Sequence, residues 1–264
     1  MKKILAIVGL GLISSSFALD EYLSIEKGKV EVDAGYSYTN ITGFVDKDWK
    51  KHDNLGNASP TVHMIPLQIK YGITPELDLE LASNGTLSNK DAGDMAGFSQ
   101  PEIAAKYTVA NLHAGAYLNI ALPFTTGNLD KPDAASLGIA LGGVYANRFG
   151  NFRLTGTAGY RINLENKDKK KPGNALFLYA KPEAMWTEYI GTYLGFKYIL
   201  SGETESAGTS NKDSDKFVLQ VIPGVNAQLL KWLAYEVNAP IDVMGKNGPA
   251  TWGIGGSVYA TLPM

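Results

Sequence analysis

The chain has 264 residues, of which 45% are hydrophobic and 10% aromatic, and its 24 Lys and Arg residues almost balance its 26 Asp and Glu residues. The formal net charge of -2 gives no reason to expect nucleic acid as a partner. The absence of cysteine excludes disulfides and thiolate metal sites.

The N-terminus has the three parts of a secretory signal. Lys2 and Lys3 precede an apolar run at residues 4–13, and Ser16-Phe17-Ala18 supplies the small residues for cleavage after Ala18. The apolar run is about half of the roughly 20 residues that a spanning helix needs, which argues against an N-terminal membrane anchor. We therefore predict a signal peptide at residues 1–18 and an exported β-barrel at residues 19–264.

Runs of alternating apolar and polar residues follow the signal, and this period of two is typical of β-strands. In IPLQIKYGITPELDLEL, residues 65–81, apolar side chains occupy every second position on both sides of a turn, with Gln68, Lys70, Asp78 and Glu80 between them. The predicted strands are residues 28–39, 60–72, 75–84, 99–109, 111–123, 137–149, 151–164, 174–188, 190–201, 215–229, 231–244 and 250–262.

The lengths of these strands and of their connections favour a membrane barrel. Most strands exceed the five or six residues usual in soluble sheets and match the roughly 9 to 11 residues that cross a bilayer at a tilt. Long connections at 40–59, 85–98, 124–136, 165–173, 202–214 and 245–249 alternate with short ones at 73–74, 110, 150, 189 and 230. Such asymmetry is typical of outer-membrane proteins. We predict one up-and-down antiparallel transmembrane β-barrel of about 12 strands, in the outer membrane of a Gram-negative-type bacterium.

A soluble β-sandwich is the alternative, because it alternates apolar and polar residues too. Aromatic residues beside the short turns favour the barrel, since they would form its interfacial girdle. They are Tyr71, Tyr107, Phe149, Phe152, Trp186, Tyr189 and Trp232. Prolines inside the predicted strands count against it, because each removes a ladder donor. They are Pro66, Pro101, Pro182, Pro223 and Pro240.

The more polar face of each strand is predicted to line the barrel interior. The candidate pore-lining residues are Asp33, Lys70, Asp78, Glu80, Arg148, Arg153, Arg161, Lys181, Lys197 and Glu236. Acids fall mainly on predicted strands 1, 3 and 11, and bases mainly on strands 6 to 9, about opposite. This division would place a transverse field across a water-filled pore. Alternatively, the charges pair across a plugged interior and stabilise it, and the sequence favours neither arrangement.

Catalytic and metal-binding patterns are weak. A serine hydrolase needs a nucleophile and a base within hydrogen-bond reach, yet no acid or serine pattern accompanies His52, His63 or His113. In NKDSDK, residues 211–216, oxygen ligands alternate as in a calcium loop, but Lys216 stands where the turn glycine belongs. We predict no enzymatic activity, no metal and no cofactor.

Three segments carry a resemblance to a known family: MIPLQIKYGITPELDLEL, GFSQPEIAAKYTV and AYLNIALPFTTGN. Their succession resembles the transporter family named after the meta-pathway (MetA-pathway) of phenol degradation. The matching residues are Tyr71, Gly72, Ile73, Thr74, Leu77, Asp78, Leu79, Ala105, Lys106, Tyr107, Leu122, Pro123, Thr126 and Gly127. The usual GLGD before the fourth strand is replaced here by GDMAGFSQPE. The resemblance implies an outer-membrane channel for small hydrophobic or aromatic compounds.

Two functions are consistent with these observations. The first is a porin-like channel for the passive passage of small solutes, and the second is a non-transporting barrel that acts as a structural or surface-binding protein through its long loops. We expect outer-membrane lipid, lipopolysaccharide and the outer-membrane assembly machinery as partners, and an unspecified small-molecule solute.

Overall fold

The computed structural model describes residues 24–53, 55, 58–129 and 135–263. The predicted signal peptide and its junction with the barrel lie outside the described residues, so that boundary stays a prediction.

The described chain is almost entirely β-structure. Its strands are β1 (Lys29–Val45), β2 (Lys51–His52), β3 (Thr61–Gly72), β4 (Leu77–Ser88), β5 (Ala96–Phe98), β6 (Glu102–Val109), β7 (Ala114–Ala121), β8 (Gly138–Phe149), β9 (Phe152–Asn163), β10 (Lys170–Lys171), β11 (Ala175–Met185), β12 (Ile190–Ser201), β13 (Glu205–Ser206), β14 (Thr209–Ser210), β15 (Lys216–Leu230), β16 (Leu233–Asn238), β17 (Ile241–Lys246) and β18 (Gly248–Pro263). One-turn 3-10 helices span Lys90–Ala92, Ala110–Leu112 and Gly127–Leu129. Within the described ranges, no helix is long and apolar enough to cross a membrane.

The long strands form one closed antiparallel barrel. Pairing runs from β1 through β3, β4, β6, β7, β8, β9, β11, β12 and β15 to β18, which pairs back with β1 from Lys29↔Pro263 to Val45↔Gly248. β16 and β17 share the position between β15 and β18, so the barrel has twelve strand positions. Closure leaves no open edge, which a sheet in hydrocarbon requires. The predicted barrel is confirmed, and the sandwich is excluded.

The connections differ in length at the two ends of the barrel, which we call the turn end and the loop end. The one-residue turns predicted at residues 110, 150, 189 and 230 are wrong, because reversing an antiparallel hairpin takes about two residues or more. The observed turns are residues 73–76, 110–113, 150–151, 186–189 and 231–232. In two of them a threonine organises the reversal: the Thr74 hydroxyl accepts from the Leu77 amide, and the Thr187 hydroxyl accepts from the Ile190 amide.

The prolines are accommodated by gaps in the ladder. Pairing of β1 with β3 skips the residues between Met64 and Leu67, where Pro66 lies. Pairing of β11 with β12 likewise skips Pro182. Pro240 separates β16 from β17, so the single strand predicted at 231–244 is two strands. A proline without a ladder donor ends or interrupts pairing at each of these places.

The exterior of the barrel is apolar. In the stretch that shows the alternation most clearly, Leu67, Ile69, Leu79 and Leu81 are exposed while Lys70 on the opposite face is buried. The aromatic residues predicted beside the short turns are also all exposed. An apolar belt around a closed barrel, bordered by aromatic rings, fits the hydrocarbon and interfaces of a bilayer. The outer face of this closed barrel is therefore suited to the lipid of a membrane.

Candidate functional site

Two cavities formed by described residues lie inside the barrel, one towards each end. The loop-end cavity has a volume of about 300 Å³ and lies against the inward faces of β1, β3, β9, β11, β12 and β15 to β18. The turn-end cavity has a volume of about 440 Å³ and is lined by His113, Arg148 and Tyr189 among others. The two have no lining residue in common. Between them lie Glu183 and Tyr193, buried and paired across β11 and β12.

Part of the loop end is covered by the chain's own connections. The helix Lys90–Ala92 and Met95 pack with Ile41 and Val62 on the inward faces of β1 and β3, and Leu129 joins the same cluster. Ile41 and Val62 also line the loop-end cavity. These loop segments therefore pack behind two residues of the cavity wall.

An ion pair between distant strands lies at the inner side of the loop-end cavity. Lys181 of β11 donates to Glu236 of β16 with an Nζ–Oε2 distance of 2.6 Å, although β12 and β15 separate these strands along the wall. The Tyr193 hydroxyl donates to Glu236 Oε1 at 2.7 Å, and Asn238 Nδ2 donates to the same oxygen at 3.1 Å. The Lys181 ammonium also lies 4.2 Å from the centre of the Tyr193 ring. Glu236 is thus held by three donors.

A second pair borders the turn-end cavity. Arg153 Nε donates to Glu183 Oε2 at 2.7 Å, and the Arg153 Nη2 group contacts the same oxygen. The two residues face each other in the ladder of β9 and β11. A buried carboxylate needs such compensation, because an unpaired charge in the wall costs several kcal/mol.

A third network lies nearer the loop end. Arg161 of β9 donates to Glu102 Oε1 of β6 at 2.9 Å, reaching across β7 and β8. Asn119 of β7 connects the two, because its Nδ2 donates to Glu102 Oε2 at 3.0 Å and its Oδ1 accepts from Arg161 at 3.3 Å. The distance between β6 and β9 is spanned by the long side chain of Arg161 together with the side-chain amide of Asn119, which lies between them.

A fourth group lies near the turn end on β1, β3, β4 and β6. Lys70 Nζ is 2.9 Å from Glu31 Oε1, and Lys106 Nζ is 3.4 Å from Asp78 Oδ2. The other oxygen of Asp78 accepts from the backbone amide of Ile25 at 3.1 Å, so the segment before β1 is tied to this group. Charges at this end of the wall are therefore compensated locally.

The structure separates the candidate pore-lining residues into three sets. Arg161, Lys181, Lys197 and Glu236 line the loop-end cavity. Arg148 and Arg153 line the turn-end cavity. Asp33, Lys70, Asp78 and Glu80 line neither of these two cavities and lie on the inward faces of β1, β3 and β4. Their role in a conducting path stays a prediction.

Ion pairs join acids and bases inside the barrel, and the transverse field expected from their placement on opposite walls stays a prediction. Between described residues, ion pairs couple neighbouring strands, as for Arg153 and Glu183, or strands further apart, as for Lys181 and Glu236. A sequence displays which face a charge occupies, but the pairing depends on strand register and on side-chain reach across the interior. Pairing of the two signs is observed for these residues, and a plugged interior stays a prediction.

Sequence reasoning missed the polar residues that complete these networks. Asn119, Tyr193 and Asn238 are inward-facing hydrogen-bond partners of the acids. Their positions on the polar face are a usable signal, but a prediction based on formal charges does not include them. Over the described ranges, no cluster of three or more His, Cys, Asp or Glu side chains could hold a metal ion.

Comparison with known proteins identifies the family. The profile of the family described as MetA-pathway of phenol degradation matches residues 27–256. The chain belongs to this family. The resemblance noted in the sequence is thereby confirmed for the MetA-pathway family, and the match covers nearly the whole barrel. A search of curated proteins found no match.

Solved structures share the barrel of this MetA-pathway family member. An outer membrane channel from Pseudomonas putida F1 has a TM-score of 0.76 at 16% identity, over 90% of this chain and 97% of that one. The porin NanC has a TM-score of 0.52 at 6% identity, over 88% and 100% of the two chains. The translocator domain of the autotransporter NalP from Neisseria meningitidis has a TM-score of 0.52 at 12% identity, over 96% and 94%. At these identities the likeness concerns the fold.

Proposed function

We propose that this barrel is a porin-like channel for the passive passage of small solutes. The observation that carries the proposal is the pair of interior cavities, which approach one layer of ion-paired side chains from opposite ends of a membrane-spanning barrel. That layer contains two ion pairs, Lys181 with Glu236 and Arg153 with Glu183. A constriction of charged groups between two wider vestibules is a common way to build a selective pore.

The solutes are small and hydrophobic or aromatic. The loop-end cavity supports this preference, because Phe177, Ile199 and Val218 form an apolar patch on its wall. Ile41 and Val62 add apolar surface on the opposite side. Pockets for apolar ligands combine such surface with a few polar groups that fix orientation.

Planar-bilayer recordings of the purified, refolded protein test the proposal. A passive channel gives resolved conductance steps whose size scales with salt concentration. A bilayer that contains correctly folded barrel and shows no steps would contradict the channel. Folding can be checked independently by the shift in gel mobility on heating.

The second candidate is a barrel that transports nothing and acts through its long loops. The filled layer of ion pairs favours it, and so do ion pairs that order the loop end, such as Lys47 with Asp213 at 3.2 Å and Lys171 with Glu205 at 2.9 Å. The same recordings decide between the two functions, since a plugged barrel gives no steps.

The proposed partners follow from the surface. Bilayer lipid would cover the apolar belt, and the exposed side chains of Lys167 and Lys169 at the loop end would contact anionic lipopolysaccharide. Insertion would require the outer-membrane assembly machinery. The proposed activity is transport without chemical conversion, and it involves no nucleic acid and no cofactor.

A further inference from the structure

One lysine inside the barrel differs from the others. Lys181, Lys70 and Lys106 each have a carboxylate partner. The Lys197 ammonium, in contrast, makes no hydrogen bond or ion pair with any residue in the described ranges, and it lines the loop-end cavity. A cation held in the wall without a partner provides a place for an anion, because a charge away from bulk water gains from pairing.

The acid on the same side of the wall is engaged elsewhere. Lys197, Gln220 and Asp242 are inward-facing neighbours on β12, β15 and β17. Asp242 Oδ1 accepts from Gln220 Nε2 at 2.9 Å, and Oδ2 accepts from the Thr251 amide at 2.9 Å and from the Thr251 hydroxyl. These three donors satisfy the Asp242 carboxylate without a hydrogen bond from Lys197. Lys197 lines the cavity and makes no ion pair with this acid.

The surface next to Lys197 is apolar and aromatic. Tyr179 is its direct neighbour across the ladder with β11, and one step towards the loop end Phe177, Ile199 and Val218 form a continuous row on three strands. All four line the cavity. The cavity thus combines one available ammonium with a broad apolar wall, within a volume of about 300 Å³ that suits a compact molecule.

We infer that the loop-end cavity binds a small monoanion in which a carboxylate is carried on a compact apolar body, such as an aromatic ring. The carboxylate pairs with the Lys197 ammonium, and the apolar body lies against the row of Phe177, Ile199 and Val218. The inference rests on the proposed channel, because this ligand would be its solute. It specifies that the apolar solute carries a negative charge and that Lys197 binds this charge.

Equilibrium binding of 4-fluorobenzoate, followed by fluorine NMR on the purified protein in detergent, tests the site. Lys197→Met should weaken binding at least about tenfold, the effect expected when a hydrogen bond to a charged group is lost. Lys197→Arg should retain binding because it keeps the charge. Lys246→Met is the matched control, since Lys246 pairs with Asp215 at the loop end, does not line the cavity and should bind like the wild type.

Two further probes separate charge from apolar contact. Neutral 4-fluorobenzyl alcohol should bind weakly, and its affinity should be the same for the wild type and Lys197→Met. Acetate, which lacks the apolar body, should compete poorly with 4-fluorobenzoate. Equal binding of benzoate to wild type and Lys197→Met, or competition by acetate as strong as by benzoate, would overturn the inference.

Bilayer conductance of the same preparation distinguishes this failure from failure of the channel. A protein that conducts but binds benzoate independently of Lys197 contradicts the anion site alone. A protein that binds benzoate through Lys197 but does not conduct contradicts the channel and leaves the binding site established.

Discussion

Inward and outward side chains on one strand of this barrel meet different solvents. On β12, Phe196 faces lipid with 41% of its surface exposed, while the next residue, Lys197, faces the interior cavity. The outer position tolerates only apolar groups near the middle of the bilayer, whereas the inner one tolerates charge because water or a counter-charge is within reach. The effect of a charged substitution on folding should therefore depend on whether the position faces outward or inward.

Arginine at two neighbouring positions tests this division. Phe196→Arg should reduce the free energy of folding into vesicles by roughly 2 to 4 kcal/mol, the cost of a lipid-facing arginine near the midplane. Gln220→Arg should cost much less, because position 220 lines the cavity beside Asp242, which can accept from the guanidinium. Urea titration of folding in vesicles measures both. Equal losses would contradict the assignment of faces.

Asp46, in the first long loop, gives a pH-dependent prediction. Its carboxylate accepts from His52 Nε2 at 2.7 Å and from the backbone amides of Lys50 and Asp48, both at 2.9 Å. The hydrogen bond from His52, followed by that from the Lys50 amide, holds the pKa of Asp46 below its ordinary value of 3.8. A lowered folded-state pKa means that the stabilisation is fully present above the ordinary value and is lost as the pH falls through the lowered one.

Protection of the Asp48 and Lys50 amides from hydrogen exchange should therefore persist at about pH 5 and decline only below the ordinary pKa of 3.8, after correction for intrinsic rates. Asp46→Asn should reduce that protection already at neutral pH, since an amide oxygen is a weaker acceptor than a carboxylate. Equal protection in Asp46→Asn and the wild type at neutral pH would show that the carboxylate does not order the loop.

At the scale of elements, the structure depends on close approaches that only glycine allows. Gly127 has a φ of +66°, and a Cβ there would lie well inside contact distance of the Ala96 carbonyl oxygen. This approach holds the helix Gly127–Leu129 against β5 and so helps to place Leu129 in the cluster that covers the loop end. Alanine at this position must displace one of the two segments.

Gly127→Ala should open this covering while the barrel remains folded. The strain is on the order of 1 to 3 kcal/mol, which is enough to release a loop but not to unfold twelve paired strands. Limited proteolysis should cleave the loop end faster, and the heat-dependent shift in gel mobility should be unchanged. Gly143→Ala is the control, because its Cβ would meet only the Gly115 carbonyl oxygen at 3.5 Å. Equal proteolysis of both variants would contradict the role of Gly127.

The elements were predictable to the extent that they depend on local pattern. The predicted strand at 190–201 coincides with β12, because its alternation is bounded by a turn at each end. The prediction of one strand at 231–244 is wrong. The alternation of apolar and polar residues continues past Pro240, but the backbone pairing is interrupted there, which divides the segment into β16 and β17. The ion pairs were beyond the sequence for another reason: Arg161 and Glu102 are 59 positions apart and meet only because three neighbouring strand pairings fix their register.

For the whole molecule, removing interior arginines should change ion selectivity. Replacing Arg153 and Arg161 by Gln removes two positive charges that pair with Glu183 and Glu102. The interior becomes more negative, so the channel should select cations more strongly. Reversal potentials in a salt gradient measure the change, with Lys47→Gln in the loops as control.

The shift should shrink at about 1 M salt, where the Debye length is only about 3 Å. A conducting pore with unchanged selectivity would mean that these arginines do not border the path of ions.

The central claim is that solutes pass through the barrel interior and past the pair of Lys181 and Glu236. Single-channel conductance of the double variant Lys181→Ala/Glu236→Ala tests this claim most directly, because the change widens the constriction without altering net charge. The matched control is Lys246→Ala/Asp215→Ala, which removes an ion pair of the same 2.6 Å length at the loop end. We predict larger conductance steps for the first variant and wild-type steps for the control. Wild-type steps in both would contradict the claim.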